Sequence, residues 1–504
     1  NHTPLLVVTP QAANKTMGQG GFQEVEQMNL FKDMVCYQEE VRDPSRMAEV
    51  LNRVIEKAFR GSAPAQINVP RDYWTQVIDI ELPPIVRFER QGGGKEAIEN
   101  AAKLLSKAKF PVILSGAGVV LGGAIDECKK LAEKLDAPVC NGYQHNDSFP
   151  GSHPLAVGPL GYNGSKAAME LISKADVVLA LGTRLNPFST LPGYGIDYWP
   201  KKATIIQVDM NPDRIGLTKK VSVGICGDAK QVAQQILDKL TSDAGNTGRE
   251  ERKNLIHKTK SAWLQTLSGL DHEEDDPGTV WNKEARERDK DRMSPRQAWR
   301  AIQDALPQDA IISSDIGNNC AIGNAYPTFE KPRKYLAPGL FGPCGYGFPA
   351  ILGAKIGCPD TPVVGFAGDG AFGISMNEMS SCAREEWPAI TMVIFRNYQW
   401  GAEKRNSILW FDDNFVGTEL DPELSYAKVA NACGLKGVTC KTMEETTKAI
   451  KQSCEDQKKG ITTFIEIILN QELGEPFRRD AMKKPVKVAG IKKEDMKKQP
   501  SLIS

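Results

Sequence analysis

Hydrophobic positions along the chain fall into two alternating patterns. Short continuous apolar runs at 111–115, 177–181 and 391–395 are typical of strands buried on both faces of a sheet. Between such runs, apolar residues recur at helical spacing, as at 44–60 and 97–108. Strands that alternate with amphipathic helices predict an α/β protein whose parallel, doubly wound sheets carry helices on both faces.

The length of the chain, 504 residues, exceeds the roughly 250–300 residues that one hydrophobic core serves. Paired prolines at 83–84 and the glycine run 92–94 predict a linker, and a charge-dense stretch predicts a surface connection with a helix at 254–267. We therefore predict three domains at 1–83, 95–240 and 293–474. A connecting segment at 241–292 separates the second and third domains, and a tail follows at 475–504. Because a buried strand pattern begins almost at once, we expect the first domain to be incomplete at its amino end.

Composition narrows the classes of partner. Lys and Arg together number 63, and so do Asp and Glu, so the formal charge is zero, which argues against nucleic acid or an anionic membrane as partner. Eleven cysteines without paired spacing indicate reduced thiols. No apolar stretch reaches the roughly 18 residues of a membrane helix, and no secretory signal opens the chain. We expect a cytoplasmic protein, with an organelle matrix as the alternative.

One segment carries the residue types of a phosphate and metal site. A predicted strand at 361–367 runs into Gly368-Asp369-Gly370, and a helix at 375–385 and a further strand lead to Asn397. The two polar residues then follow neighbouring parallel strands, at the sheet edge where open α/β sheets bind ligands. Carboxylate, amide and carbonyl oxygens suit Mg²⁺, and glycine amides can approach a diphosphate. The alternative is a plain surface turn.

These residues carry a resemblance to a known family. The Gly-Asp-Gly motif with its downstream Asn, the turn Gly345-Tyr346-Gly347-Phe348-Pro349-Ala350 and the segment Phe22-Gln23-Glu24 resemble the thiamine diphosphate enzymes of the pyruvate oxidase/acetolactate synthase branch. The resemblance implies pyrimidine-binding, central and diphosphate-binding domains. It also implies thiamine diphosphate and Mg²⁺ as cofactors, and a homodimer or homotetramer with active sites between subunits.

Two further stretches, 397–404 and 472–481, are similar to the sulfoacetaldehyde acetyltransferases rather than to the acetolactate synthases. That similarity implies conversion of sulfoacetaldehyde and phosphate into acetyl phosphate and sulfite, a reaction of taurine and sulfonate metabolism. The alternatives are an acetolactate synthase or pyruvate-oxidising enzyme that acts on a 2-keto acid, and a non-catalytic scaffold subunit that retains the fold.

The resemblance also assigns roles to residues. It implies metal binding by the side chains of Asp369 and Asn397 and by the carbonyl of Gln399. It implies that the cofactor contacts the following residues: Gly370 and Ala371 through their amides, Asn318 and Asn319 on the other side of the diphosphate, and Cys344 with Gly345 at the glycine turn. Cys344 stands where relatives place a bulkier apolar residue that bends the cofactor, and Arg396 replaces the first Asn of the family's Asn-Asn pair.

Candidates for the reacting groups are fewer. Glu403 is a candidate catalytic residue that could move protons, with a solvated helix residue as the alternative. The glutamate that activates the cofactor in relatives is expected before residue 1, and Glu24 is rejected as its substitute. Four basic residues are candidates for holding a sulfonate or phosphate: Lys404, Arg405, Arg478 and Arg479. We interpret the glycine-rich stretch 116–123 as a structural turn rather than a nucleotide site.

Overall fold

The computed structural model describes residues 2–84, 89–271, 287–411 and 416–473. It contains three parallel β-sheets, and the chain divides into two compact units, residues 1–89 and 90–504. The predicted α/β class with three parallel-sheet domains is confirmed. None of the helices in the described ranges is both long and apolar enough to cross a membrane.

The first unit is built on a three-stranded parallel sheet of order β1-β3-β2. Its elements are β1 (Leu5–Gln11), α1 (Gln27–Phe31), β2 (Tyr37–Glu40), α2 (Met47–Gly61) and β3 (Pro64–Pro70). The helical spacing of apolar residues is why α2 buries Val50, Val54 and Ala58 against the sheet residues Ala65 and Ile67. The helix predicted at 44–60 is confirmed, with one 3₁₀ turn at its start.

The second sheet has six parallel strands in the order β6-β5-β4-β7-β8-β9. Its strands are β4 (Pro111–Ser115), β5 (Val139–Asn141), β6 (Ala156–Pro159), β7 (Val177–Leu181), β8 (Thr204–Asp209) and β9 (Val223–Cys226). The helices around it are α3 (Lys95–Lys107), α4 (Ala117–Gly122), α5 (Ile125–Leu135), α6 (Lys166–Ile172) and α7 (Ala229–Lys239). Strands β4 and β7 are fully buried, as their continuous apolar runs predict.

The predicted connecting segment contains a long helix, α8 (Arg249–Gly269), which is not confined to the surface. Trp263 of α8 packs edge-on against Tyr194, and Arg252 is only 1% exposed. The Arg252 guanidinium donates five hydrogen bonds to backbone carbonyls, those of Lys109, Leu135, Asp136, Gly245 and Thr247. One arginine therefore ties the start of α8 to the ends of α3 and α5.

Replacing Arg252 with methionine should destabilise the protein, because several buried carbonyls would lose their donor at about 1–3 kcal/mol each. Even at about 1 kcal/mol for each of the five carbonyls, the total of about 5 kcal/mol lowers the melting temperature by roughly 10–20 °C. Thermal unfolding followed by circular dichroism measures the effect. The control is Lys258→Met on the exposed face of the same helix, and equal melting temperatures for the two variants would contradict the account.

The third sheet has six parallel strands in the order β11-β10-β12-β13-β15-β14. Its strands are β10 (Ile311–Ser314), β11 (Tyr335–Leu336), β12 (Val363–Gly368), β13 (Thr391–Arg396), β14 (Lys436–Cys440) and β15 (Thr463–Ile468). Its helices are α9 (Pro295–Ala305), α10 (Asn318–Ile322), α11 (Gly347–Gly357), α12 (Asp369–Ser375), α13 (Met379–Cys382), α14 (Gly401–Phe411), α15 (Tyr426–Ala432) and α16 (Met443–Gln457).

The helix predicted at 375–385 is confirmed in part, because a 3₁₀ turn (Met376–Glu378) and α13 (Met379–Cys382) lie in this range, but the helical stretch begins earlier than predicted. The chain becomes helical at Asp369, directly after β12, and a 3₁₀ turn separates this short helix from α13. Glycines at 370 and 373 lower the intrinsic helix propensity, which is why the pattern predicts a loop there. Burial of Ala371 and Phe372 in the core compensates for that low propensity.

Candidate functional site

The carboxyl ends of three adjacent strands form the candidate site. Strands β10, β12 and β13 are neighbours in the third sheet and run parallel, so their ends meet at one edge. The residues that follow them are 315–319, 369–371 and 397–401. The predicted proximity of Asp369 and Asn397 at this edge is confirmed, because the Asn397 amide lies 3.3 Å from Asp369 Oδ1.

Three polar groups converge beside the end of β13. One terminal atom of the Asn397 amide lies 3.3 Å from Asp369 Oδ1 and 3.3 Å from the carbonyl oxygen of Gln399. The other terminal atom lies 3.3 Å from Asn319 Nδ2. We call Asp369 Oδ1, the Asn397 amide and the Gln399 carbonyl the oxygen cluster. Among the described residues no three His, Cys, Asp or Glu side chains form a metal-binding group, so a cation here needs amide and carbonyl ligands besides the carboxylate of Asp369.

The orientation of the Asn397 amide decides whether the cluster suits a cation. Amide oxygen and nitrogen are assigned from their hydrogen bonds rather than observed. With its nitrogen toward Asp369 and Gln399, Asn397 donates a hydrogen bond to each of them. The polar groups of the cluster are then hydrogen-bonded to one another without an ion. With its oxygen toward them, that oxygen lies 3.3 Å from Asp369 Oδ1 and 3.3 Å from the Gln399 carbonyl oxygen, close to the about 3 Å edge of an octahedron with Mg–O distances near 2.1 Å. The Asn397 nitrogen then faces Asn319 Nδ2 at 3.3 Å, so this orientation also requires the Asn319 amide to turn and present Oδ1, which accepts no hydrogen bond from the described residues.

Backbone strain at Tyr398 shapes the cluster. Tyr398 has φ of 62°, a left-handed conformation that costs a non-glycine residue about 1–2 kcal/mol. Two hydrogen bonds hold it: its N–H donates to Asp369 Oδ2 at 2.7 Å, and its carbonyl accepts from Leu420 N at 2.9 Å. The turn brings the Gln399 carbonyl back beside the side chain of Asn397. The strained conformation of Tyr398 therefore positions a candidate ligand atom.

The electrostatics of Asp369 also favour a cation. Its side chain is 1% exposed, and burial raises the pKa of Asp369 to about 6, although the guanidinium of Arg396 and the amide of Tyr398 act to lower it. Burial thus opposes the charged form of this carboxylate more strongly than its present partners favour it. A divalent ion at the oxygen cluster would supply the missing positive charge.

Asn318 and Asn319 begin α10 and are buried at the same edge. Asn318 Nδ2 donates to the carbonyl of Leu473 at 2.6 Å, while the backbone carbonyl of Asn319 accepts from Trp299 Nε1 at 2.7 Å. These bonds fix the helix start so that the side chain of Asn319 reaches Asn397. The structure therefore brings this predicted pair to the oxygen cluster.

Asp315 organises the glycine turn, although its only recognisable feature in the sequence is its place after a strand. The buried carboxylate of Asp315 accepts from the amides of Ile316 at 2.8 Å, Gly345 at 3.1 Å and Gly347 at 2.7 Å. Burial raises the pKa of Asp315, and these amides oppose the rise. Gly345 has φ of 85°, so a side chain there would be strained. The turn that holds Cys344 and Gly345 is thereby tied to the end of β10.

Replacing Asp315 with alanine should release the glycine turn. Three amides would lose one acceptor, and we expect a loss of about 3 kcal/mol of stability together with at least tenfold weaker cofactor binding. Calorimetric titration with thiamine diphosphate and thermal unfolding measure the two effects. Asp304→Ala, an exposed carboxylate of α9, is the matched control. Unchanged cofactor affinity in Asp315→Ala would show that the turn has no part in the site.

Gly370 is required by a close approach of an aromatic ring. A Cβ added at Gly370 would lie 2.8 Å from two ring atoms of Trp400, which is closer than real Cβ contacts. Gly370 N donates to Asp369 Oδ1 at 3.0 Å, and Tyr426 donates its hydroxyl to the carbonyl of Asp369 at 2.9 Å. Gly370, in the first turn of α12, therefore packs against Trp400 just before α14, next to the oxygen cluster.

The candidate residues Glu403 and Cys344 lie near the same edge of the third sheet. Glu403 is exposed in the first turn of α14. Burial, together with the charges of Asp315 and Glu403, raises the pKa of the Cys344 thiol to about 11, so Glu403 lies within electrostatic reach of Cys344. Sequence reasoning predicted both positions but not their proximity.

The basic candidates have protein partners where they are described. Lys404 forms an ion pair with Glu419, and the buried Arg405 donates to the carbonyl of Leu473 at 2.8 Å. Arg478 and Arg479 lie outside the described residues. Their predicted role in holding an anion stays a prediction.

The glycine-rich stretch of the central sheet has a packing explanation. Cβ atoms added at Gly116 and Gly118 would lie 2.6 Å from the backbone of Gly182, and Gly118 N donates to the carbonyl of Gly182 at 2.8 Å. The two βα turns after β4 and β7 therefore touch each other through their backbones. This contact accounts for both glycines without a bound nucleotide.

Comparison with known proteins agrees with this geometry. Residues 98–236 match the family model described as thiamine pyrophosphate enzyme, central domain. Residues 315–467 match thiamine pyrophosphate enzyme, C-terminal TPP binding domain. A solved benzoylformate decarboxylase from Polynucleobacter necessarius superposes with a TM-score of 0.74 at 20% identity, over 94% of this chain and 83% of that chain. That structure shows the same fold. Fold and site together define a thiamine pyrophosphate enzyme.

Curated relatives narrow the class. The chain is 78% identical over 499 residues to a probable sulfoacetaldehyde acetyltransferase of Rhizobium meliloti, which covers 99% of this chain and 84% of the relative. It is 76% identical to a sulfoacetaldehyde acetyltransferase of Roseovarius nubinhibens, over 99% of this chain and 83% of the relative. A probable acetolactate synthase large subunit of Methanocaldococcus jannaschii is 28% identical to this chain, and the match covers 90% of this chain and 75% of the relative. The chain belongs to the sulfoacetaldehyde acetyltransferase family, as its sequence motifs predicted.

Proposed function

We propose that the protein converts sulfoacetaldehyde and phosphate into acetyl phosphate and sulfite, using thiamine diphosphate and Mg²⁺. The observation that carries this proposal is the identity of 78% and 76% to relatives named for this activity, against 28% to an acetolactate synthase. Differences of this size favour the acetyltransferase over the 2-keto acid alternative. The oxygen cluster also favours an enzyme over a scaffold, because strained backbone such as that at Tyr398 clusters at active sites and ligand-binding sites.

Mg²⁺ would be held by Asp369 Oδ1, by the Asn397 side-chain oxygen and by the Gln399 carbonyl. Their spacing of 3.3 Å around Asn397 and the burial of Asp369 support this assignment. Diphosphate oxygens and water would complete an octahedral shell. Bound thiamine diphosphate supplies a carbanion and an electron sink for the acyl transfer.

The protein's own groups would position the cofactor and substrate. Gly370 and Ala371 would give backbone N–H groups to the diphosphate, and Asn318 and Asn319 would line its other side. The contacts of these residues with the cluster or with its neighbours support the assignment. The turn held by Asp315 would place Cys344 and Gly345 against the cofactor, although the small thiol fills less space than the apolar residue of relatives.

Glu403 would hold or move a proton at the exposed side of the site, supported by its exposure beside Cys344. Among the basic candidates, Lys404 and Arg405 lie on the same helix as Glu403, and Arg478 and Arg479 remain candidates for the sulfonate or phosphate. A guanidinium fork suits either tetrahedral anion.

The proposal also covers the cellular compartment and the oligomeric state of the protein. Eleven free cysteines, five of them at least partly exposed, support a reducing compartment, and we propose the cytoplasm. We propose a homodimer or homotetramer with active sites between subunits, as the resemblance implies.

The assay that tests the function compares two reactions of the full-length protein. With thiamine diphosphate, Mg²⁺ and phosphate present, sulfite and acetyl phosphate should form from sulfoacetaldehyde in equal amounts, and acetolactate should not form from pyruvate. Acetolactate without sulfite would replace the proposal by the 2-keto acid alternative. Absence of both products together with absence of thiamine diphosphate binding would favour the scaffold.

A further inference from the structure

A buried arginine stands directly behind the oxygen cluster. Arg396 is the last residue of β13 and is 0% exposed. Its Nη1 donates to Asp369 Oδ2 at 3.0 Å, and its Nε lies 3.8 Å from Glu466 Oε1. Its Nη2 donates to the carbonyl of Leu424 at 3.0 Å. The guanidinium therefore links a candidate metal ligand to a second buried carboxylate on the neighbouring strand.

The guanidinium is also fixed by aromatic rings. Its central carbon lies 4.2 Å from the ring centroid of Tyr398 and 5.5 Å from that of Tyr426. Cation–π contacts at these distances hold the plane of an arginine as well as its charge. Glu466 is itself held by the hydroxyl of Ser425 at 2.7 Å and the amide of Tyr426 at 3.1 Å. Arg396 thus has little freedom to leave Asp369.

The two oxygens of Asp369 are consequently not equivalent. Oδ2 accepts two hydrogen bonds, from Arg396 Nη1 at 3.0 Å and from Tyr398 N at 2.7 Å, which use both of its lone pairs. Oδ1 accepts only from Gly370 N at 3.0 Å and faces the Asn397 amide. A cation at the cluster can therefore use Oδ1 but cannot take Asp369 through both oxygens.

Single-oxygen coordination discriminates between cations. Mg²⁺ takes six oxygens at about 2.0–2.1 Å in an octahedron, with one oxygen from each carboxylate, whereas Ca²⁺ takes six to eight at about 2.3–2.6 Å and often uses a carboxylate through both oxygens. We infer that Arg396 is a positioning residue that restricts Asp369 to one metal-binding oxygen and so makes the site prefer Mg²⁺ to Ca²⁺. This inference rests on the proposed cation site.

Removing Arg396 tests the inference through the ratio of the dissociation constants for Mg²⁺ and Ca²⁺. Loss of a positive charge next to the site raises the affinity for both ions. Because this charge effect acts on both constants, a change in their ratio reports a change in how Asp369 coordinates the ion. In Arg396→Gln, only Tyr398 N still reaches Oδ2, and one lone pair becomes available to a larger ion. We expect the ratio to shift toward Ca²⁺ by at least tenfold, and by a smaller factor in Arg396→Lys, whose ammonium can give Oδ2 one donor.

The experiment is calorimetric titration of full-length protein with MgCl₂ and with CaCl₂, in the presence of thiamine diphosphate. Arg384→Gln, an exposed arginine of the same domain, should keep the wild-type ratio. An equal change of affinity for both ions in Arg396→Gln, in either direction and with an unchanged ratio, would overturn the inference. If the glutamine variant does not fold, Arg396→Met, which likewise gives Oδ2 no donor, decides, and a wild-type ratio there overturns the inference.

A parallel titration of Asp369→Ala separates this inference from the proposed function. Loss of cation binding in Asp369→Ala with an unchanged ratio in the Arg396 variants would leave the cation site in place and reject only the role of Arg396. Wild-type binding of both ions by Asp369→Ala would reject the cation site and the inference together.

Discussion

Replacing Asp369 with alanine should abolish sulfite release and the dependence of cofactor binding on Mg²⁺. Loss of a residue that only supports a metal ligand typically costs about 10–100-fold, and loss of a carboxylate ligand itself should exceed that range. Removing the only carboxylate of the cluster leaves two neutral oxygens, which hold a divalent cation poorly. Calorimetric titration of thiamine diphosphate with and without Mg²⁺, together with the sulfite assay, measures both effects.

Two further variants make this result interpretable. Asp360→Ala removes an exposed carboxylate from the same domain and should behave as the wild type. Asp369→Asn keeps the size of the side chain and an oxygen for the amide of Tyr398, so it should fold even if the alanine variant is unstable. Activity above about one tenth of wild type in a folded Asp369→Asn protein would contradict the role given to this residue.

Replacing Gly370 with alanine should have the second largest effect. The new Cβ would lie 2.8 Å from ring atoms of Trp400, and Trp400 follows directly after the Gln399 carbonyl. Relief of the clash moves either the amide of residue 370 or the carbonyl of residue 399. Because an overpacked site costs about 1–3 kcal/mol, we expect roughly 10- to 100-fold weaker binding of Mg²⁺ with thiamine diphosphate.

Gly353→Ala is the matched control. Gly353 lies on α11, and a Cβ there would meet nothing within 4 Å, so the change should stabilise the helix by about 0.5–1 kcal/mol. Thermal unfolding and calorimetric titration of both variants give the comparison. Cofactor binding by Gly370→Ala as tight as by Gly353→Ala would show that the contact with Trp400 does not shape the site.

Sequence predicts the buried elements of this fold well and its edges poorly. Strands 111–115 and 177–181 are recognisable because every residue is apolar or small and both faces are covered. Edge strands such as β14 (Lys436–Cys440) alternate little and are only partly buried, so no pattern marks them. The short helix at Asp369 is held by tertiary packing against its own low propensity, which no local pattern contains.

The sequence likewise predicts some contacts of the candidate site and not others. Proximity of Asp369 and Asn397 follows from parallel strands, since the ends of neighbouring strands must meet. The bonds of Asp315 to the glycine turn and of Arg396 to Asp369 join residues far apart in the chain, and a single sequence shows no sign of such pairs. Arg396 was recognisable only as a departure from the family's Asn-Asn pair, and its contacts explain what the departure brings.

Anomalous diffraction from crystals grown with Mn²⁺ and thiamine diphosphate shows whether a metal ion occupies the oxygen cluster. Mn²⁺ replaces Mg²⁺ at oxygen sites and gives a signal that identifies the metal. We predict one anomalous peak at about 2.1–2.2 Å from Asp369 Oδ1, the Asn397 side-chain oxygen and the Gln399 carbonyl, in contact with the diphosphate. A diphosphate bound at this sheet edge with no anomalous peak between these three atoms, or a peak elsewhere, would contradict it.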